Sequence, residues 1–206
     1  MDTSHSLDKK WVCVFCASAA GASPEYLRAA DEMGRRIAER GYGLVYGGAT
    51  VGAMGAVADG ALAAGGSVVG VIPDIIKERE IEHRRLTELH VVRTMHDRKA
   101  MLADRADAFV ALPGGYGTMD EFIEIVTWAQ LRIHAKPCVL VNVRGFFDPL
   151  LAFLDHTVRE GFIQAENHGL VQVAGDPAEA LALVERTWAE RAEVPAHDQR
   201  LDAIIK

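Results

Sequence analysis

The stretch Pro113-Gly114-Gly115-Tyr116-Gly117-Thr118-Met119-Asp120-Glu121 constrains the fold more than any other part of the chain. Residues 106–112 before it form an apolar run short enough to be a buried strand. After it, Phe122, Ile125, Val126 and Ala129 recur at helical spacing. The stretch is therefore a tight strand-to-helix turn. Gly114, Gly115 and Gly117 remove Cβ atoms where the backbone must bend sharply or admit a ligand closely. The first amides of the helix lack intrahelical partners and carry the positive end of its dipole, so a phosphate suits that place. Thr118-x-x-Glu121 also reads as a capping box, with Thr118 at the N-cap and Glu121 at N3. A glutamate there can serve as cap, as catalyst, or as both.

The rest of the chain repeats the same strand–helix alternation. Apolar runs at 11–16, 43–46, 67–72, 89–92, 138–141 and 170–173 read as strands. Between them lie segments with helical periodicity. Ser23-Pro24-Glu25 opens the first of these, with Ser at the N-cap and Pro at N1, and Asp176-Pro177 opens the last. The pattern predicts an α/β fold: a single-domain, Rossmann-like, doubly wound, mostly parallel sheet with helices on both faces. The domain is expected over residues 11–190, after a disordered arm at 1–10 and before a polar-then-apolar tail at 191–206. In such sheets ligands bind beyond the carboxyl ends of the strands, where the strand order reverses. The loops at 17–23, 47–55, 73–80 and 113–118 all belong to that edge.

The loop at 47–55, Gly47-Gly48-Ala49-Thr50-Val51-Gly52-Ala53-Met54-Gly55, is a second glycine-rich turn. Its spacing is neither that of a dinucleotide fingerprint nor that of a P-loop. Its small residues either let a helix pack close to the sheet or let a ligand reach the backbone. Further on, Arg98 and Lys99 fall near a predicted helix start, where the dipole disfavours cations. Cations so placed point to an anionic ligand or to carboxylate partners. The charged residues from Asp74 to Glu88 read as a solvated face, a lid or a subunit contact.

A net charge of −7 argues against general nucleic-acid binding. No apolar run reaches the length of a membrane span and no signal peptide is visible, so a cytoplasmic protein is expected. Cys13 and Cys16 form a C-x-x-C on a strand, where an odd spacing sends the two side chains to opposite faces; a redox pair would sit at a helix start. Cys138 reads as core. The histidines are scattered, with no metal-ligand spacing.

Pro113-Gly114-Gly115-x-Gly117-Thr118-x-x-Glu121, taken with Arg98-Lys99, resembles the signature of the Lonely Guy (LOG) family, the cytokinin riboside 5'-monophosphate phosphoribohydrolases, long described as lysine decarboxylases. Tyr46-Gly47-Gly48-x-x-x-Gly52-x-Met54-Gly55 resembles the family's second glycine motif, with Ala49 standing where many members extend the glycine run. The resemblance spans residues 11–188. It implies hydrolysis of the N-glycosidic bond of an N6-modified AMP to a free base and ribose 5-phosphate. It implies no metal, no redox cofactor and no pyridoxal phosphate, and a homodimer with each site near the subunit boundary. By the same resemblance, Glu80, Arg98, Lys99, Gly114, Gly115, Tyr116, Gly117, Thr118, Met119, Asp120, Glu121 and Thr127 contact the substrate. The chemistry suits the residues. Glycosidic cleavage builds positive charge on the ribose, which a carboxylate such as Glu121 stabilises, or it activates the attacking water. Arg98 either holds the leaving group or fixes Glu121. Two rivals stand beside this reading. One is a carrier that binds a phosphorylated ligand without turning it over, as molybdenum-cofactor carriers do. The other is a pyridoxal-phosphate decarboxylase, which requires a Schiff-base lysine.

Overall fold

The computed structural model describes residues 9–77 and 83–192. Most of the expected arm, the whole segment holding Glu80, and the tail beyond residue 192 lie outside them. The element order is β1 (Trp11–Phe15), α1 (Pro24–Glu39), β2 (Gly43–Tyr46), α2 (Gly52–Ala63), β3 (Val68–Pro73), α3 (Asp74–Lys77), β4 (Glu88–Val92), α4 (Met95–Arg105), β5 (Ala108–Ala111), α5 (Tyr116–Gln130), β6 (Cys138–Val141), α6 (Asp148–Arg159), α7 (Ala165–His168), β7 (Val171–Ala174) and α8 (Pro177–Ala192). The seven strands form one sheet in the order β4-β3-β2-β1-β5-β6-β7, every pair parallel. The order reverses between β1 and β5, which places the crevice between the loops that leave those two strands.

Both faces of the sheet are covered, so the central strands read as continuous apolar runs rather than alternating ones. One core lies under α1, α2 and α8 and contains Val12, Val14, Cys16, Met33, Val57 and Leu181. The other lies under α4 and α5 and contains Cys13, Phe15, Leu102, Phe109 and Phe122. Cys13 and Cys16 therefore fall in different cores, as the odd spacing on β1 requires. All three thiols are free and buried. Desolvation raises the pKa of each, and that of Cys138 is pushed up to about 12.

The contact of α1 with α2 depends on glycine. A Cβ on Gly34 would lie 1.9 Å from the Val57 carbonyl oxygen, and one on Gly60 would lie 2.2 Å from that of Asp31. At the amino-terminal edge of the sheet, Asp107 accepts from the Trp11 amide and pairs with Lys10, and its carbonyl accepts from Trp188 Nε1 of α8. The face of α6 expected to be buried through Leu150, Leu151, Leu154 and Val158 is only half covered, and Phe153 on the same helix is 59% exposed. The short helix α7 carries no periodic signal of its own. No helix among the described residues is long and apolar enough to cross a membrane.

Candidate active site

The carboxyl edge of the sheet gathers the only buried polar and charged side chains among the described residues apart from His83: Arg98 of α4, and Thr118 and Glu121 of α5. The start of α4 is set by Thr94. Its hydroxyl accepts from the Asp97 amide at 3.0 Å, while the Asp97 carboxylate accepts from the Thr94 amide at 3.1 Å. This capping box is written in the sequence as T-x-x-D, Thr94 to Asp97. It puts a carboxylate at N3 against the dipole and fixes the rotation of α4, so that Arg98 faces inward.

The capping box expected at Thr118 and Glu121 does not form. Helix α5 begins three residues earlier than that box requires, at Tyr116, with Gly115 as an N-cap that makes no side-chain bond. A Cβ on Gly114 would lie 2.1 Å from Thr118 Oγ1, so the bare glycine is what admits the buried threonine. Thr118 thus lies inside the first turn. Glu121 lies in the second, where its carboxylate has no capping role and turns onto the sheet edge. Of the two expected roles of Glu121, that of N3 cap is ruled out by the observed helix start. Its Oε1 lies 3.4 Å from Arg98 Nη2, with both side chains about nine-tenths buried. Arg98 Nε is the one buried side-chain nitrogen or oxygen among the described residues without a hydrogen-bond partner.

The two glycine-rich turns differ in their use. At the start of α2 the amides of Ala53 and Met54 donate to the carbonyls of Ala19 and Ala17. Gly48 and Gly52 have φ of +84° and +60°, and a Cβ on Gly55 would strike the Thr50 carbonyl. Gly48, Gly52 and Gly55 of that turn thus meet backbone demands, while a Cβ on Gly47 would meet the Arg98 and Met54 side chains. At the start of α5 no described residue accepts from the amides of Tyr116, Gly117 or Thr118. Nothing lies within 4 Å of a Cβ placed on Gly115 or Gly117, and neither has a left-handed φ. Neither a side-chain contact nor a left-handed φ requires glycine at those two positions.

Lys99 lies one residue on from Arg98 and faces α5. Its Nζ is 2.8 Å from Asp120 Oδ2 and 3.4 Å from Glu124 Oε2. Burial pushes its pKa down, but the hydrogen bond to Asp120 and the two carboxylate charges outweigh this and raise it. Thr127 lies on the exposed side of α5, its hydroxyl donating to the Ile123 carbonyl at 2.7 Å. Met119 is partly buried against the α4–α5 core, and Tyr116 is 98% exposed. One chain thus brings Arg98, Thr118 and Glu121 together with the open amides, and leaves Tyr116 and Thr127 facing outward.

A parallel α/β sheet with a buried arginine–carboxylate pair beside an open helix start at its carboxyl edge defines a Rossmann-like protein. A family model described as "Possible lysine decarboxylase" matches residues 54–184. The cytokinin riboside 5'-monophosphate phosphoribohydrolase of Rhodococcoides fascians is 48% identical over 85% of this chain and 89% of its own. The rice enzyme LOG is 46% identical over 89% of this chain and 75% of its own. The chain belongs to this LOG family. Among solved structures, the molybdenum cofactor carrier protein of Chlamydomonas reinhardtii has a TM-score of 0.67 at 26% identity, over 88% of this chain and 99% of the carrier.

Proposed function

We propose that the protein hydrolyses the N-glycosidic bond of adenosine 5'-monophosphates, N6-substituted or plain, releasing the base and ribose 5-phosphate. The observation that carries this reading is the pair of Arg98 on α4 with Glu121 on α5, one turn beyond the open amides of the α5 start. Glu121 follows the first helical residue by five positions, about 7.5 Å along the axis. Helix side chains lean back toward the amino end, so the carboxylate is set a ribose's length from a phosphate on the amides of residues 115–118.

In this arrangement the 5'-phosphate sits on the helix start and the ribose lies over Glu121. As the bond from C1' to the base nitrogen lengthens, positive charge grows on the ring, and the carboxylate stabilises it at close range. Water adds to C1', the electron pair of the broken bond leaves with the base, and a proton from the water neutralises the base. Arg98 orients Glu121 through their contact, and can donate to the departing base. Lys99, held by Asp120 and Glu124, contributes to the same edge as a strut between α4 and α5. The name "lysine decarboxylase" finds no support in these residues. A Schiff-base lysine needs a depressed pKa, and that of Lys99 is raised by its two carboxylate neighbours.

The protein works as a homodimer in this reading. Tyr116, Ile123 and Thr127 of α5 and its C-cap Leu131 are spaced by seven and four residues and share one face, on which Tyr116, Ile123 and Leu131 are 98%, 38% and 57% exposed. A second copy seated there covers that face and brings Thr127 to a subunit boundary beside the site. Three free thiols suit a reducing compartment, the cytoplasm.

The test is a product assay with AMP and N6-isopentenyl-AMP, each beside its nucleoside, on wild-type protein and Glu121→Gln. Release of base and ribose 5-phosphate from the monophosphates alone, lost in a folded Glu121→Gln, is the expected result. Nucleotide binding without release would replace the hydrolase by a carrier, the reading that the likeness to the Chlamydomonas protein supports.

A further inference from the structure

The second glycine turn is untouched by the mechanism above, yet it reaches the catalytic pair. We propose that Gly47 is a positioning residue: its bare Cα is the seat of the Arg98 guanidinium, and the turn after β2 serves that arginine rather than the nucleotide. The inference rests on the hydrolase reading for its kinetic consequence, but not for its geometry.

Gly47 follows directly on the last residue of β2. Its φ is not left-handed, so the backbone there imposes no need for glycine. The need is spatial. A Cβ at this position would lie 2.2 Å from Arg98 Nη2 and 3.3 Å from Arg98 Cζ, with Met54 Sδ at 2.8 Å on the other side. Arg98 Nη2 is also the atom that faces Glu121 Oε1 at 3.4 Å. The nitrogen that would have to move is therefore the one in the pair.

Two further observations make the seat decisive. Arg98 Nε has no hydrogen-bond partner, so no bond at that atom holds the plane of the guanidinium. Its position is set by Glu121 on one side and by the absence of a side chain at Gly47 on the other. The turn itself is rigid: the Tyr46 hydroxyl donates to the Ala49 carbonyl at 3.1 Å, and the amides of Ala53 and Met54 are held by the 17–19 loop. A methyl group at 47 cannot be relieved by moving the turn, so the guanidinium moves instead. At the start of α2 the amides of Ala53, Met54 and Gly55 are already engaged by backbone carbonyls.

The experiment is a double-mutant cycle between Gly47→Ala and Arg98→Lys, read as kcat and KM for a nucleoside monophosphate. Thermal unfolding confirms that each variant is folded. Displacing a catalytic group by about 1 Å costs on the order of 100-fold. Gly47→Ala is expected to lower kcat by roughly 10- to 100-fold with KM changed by less than about threefold. In the Arg98→Lys background, where no Nη2 exists to be struck, the same change should alter kcat by no more than about twofold. Equal losses in both backgrounds, or a loss confined to KM, would overturn the proposal and return the glycine to a structural or nucleotide-contacting role. If Gly47→Ala does not fold, pairing it with Met54→Ala removes the sulfur contact and leaves Arg98 as the remaining clash. Independently of turnover, the 15Nε–H resonance of buried Arg98 should shift in Gly47→Ala and stay in place in Gly117→Ala. Wild-type protein that releases no base would defeat the hydrolase reading alone; an unmoved Arg98 resonance would defeat this one alone.

Discussion

Lys99 Nζ lies 2.8 Å from Asp120 Oδ2, and that contact ties α4 to α5 one residue along each helix from the point where Arg98 meets Glu121. The ammonium is largely covered while the Asp120 carboxylate is 58% exposed, so water screens the pair and it contributes little to stability. Lys99→Met is expected to lower the free energy of unfolding by only ~1 kcal/mol, read from urea denaturation. Its larger effect falls on kcat/KM, because the spacing of the two helices sets the Arg98–Glu121 distance. Lys99→Arg, which keeps both charge partners, should recover most of that activity.

The open glycines of α5 and the packed glycines of α1 and α2 predict opposite outcomes for the same chemical change. Gly117→Ala adds a methyl group that meets nothing within 4 Å, at a position inside a helix. Alanine favours the helix by about 0.5–1 kcal/mol, so the melting temperature should hold or rise while hydrolysis and phosphate affinity fall. Gly34→Ala drives a Cβ to within 1.9 Å of a backbone carbonyl and should destabilise by about 3 kcal/mol or more, with activity per folded molecule unchanged. Thermal unfolding beside a product assay reads both.

Acidification should weaken the fold through His134. Burial lowers its pKa below the ordinary 6.5. Nε2 faces the Ile125 carbonyl at 2.9 Å, while Nδ1 accepts from the Lys136 amide at 3.1 Å, an arrangement that requires the neutral ring. The unfolded chain takes up the proton near pH 6.5 and the folded chain only at lower pH. Stability from this group is therefore complete above 6.5 and declines as pH falls below it. His134→Gln should unfold with a shallower pH dependence between 7 and 5, measured by urea titration at each pH.

The thiols should be silent in the native state. Cys13, Cys16 and Cys138 are buried, with pKa values raised by desolvation. Iodoacetamide at pH 8 is expected to label none of them until urea is added, and then all three. Rapid native labelling of Cys16 would show that β1 opens locally.

Most of the architecture was legible because apolar runs and helical spacing are local signals. The strands at Gly43–Tyr46 and Cys138–Val141 carry the bounds that their apolar residues suggest. The start of α5 was misread for a physical reason. Thr118-x-x-Glu121 fits a capping box, but the cavity left at Gly114 draws the Thr118 side chain inward, and a contact of that kind is not written in residue spacing. The purpose of the second glycine turn was hidden in the same way. Gly52 answers to Ser18 and Gly47 to Arg98, partners far apart in the chain. The box at Thr94 and Asp97 was available in the sequence and simply competed with the more conspicuous Arg98-Lys99 beside it.

The convergence of Lys10, Trp11 and Trp188 on Asp107 brings the start of β1 and the last helix together at the sheet edge remote from Arg98 and Glu121. Those two places can be spliced by a short linker and the chain reopened at the exposed Gly161–Phe162 turn. The circular permutant keeps the catalytic pair, its glycine seat and the helix start on one unbroken segment. It should fold with the same site although β7 and α8 now leave the ribosome before β1 instead of last.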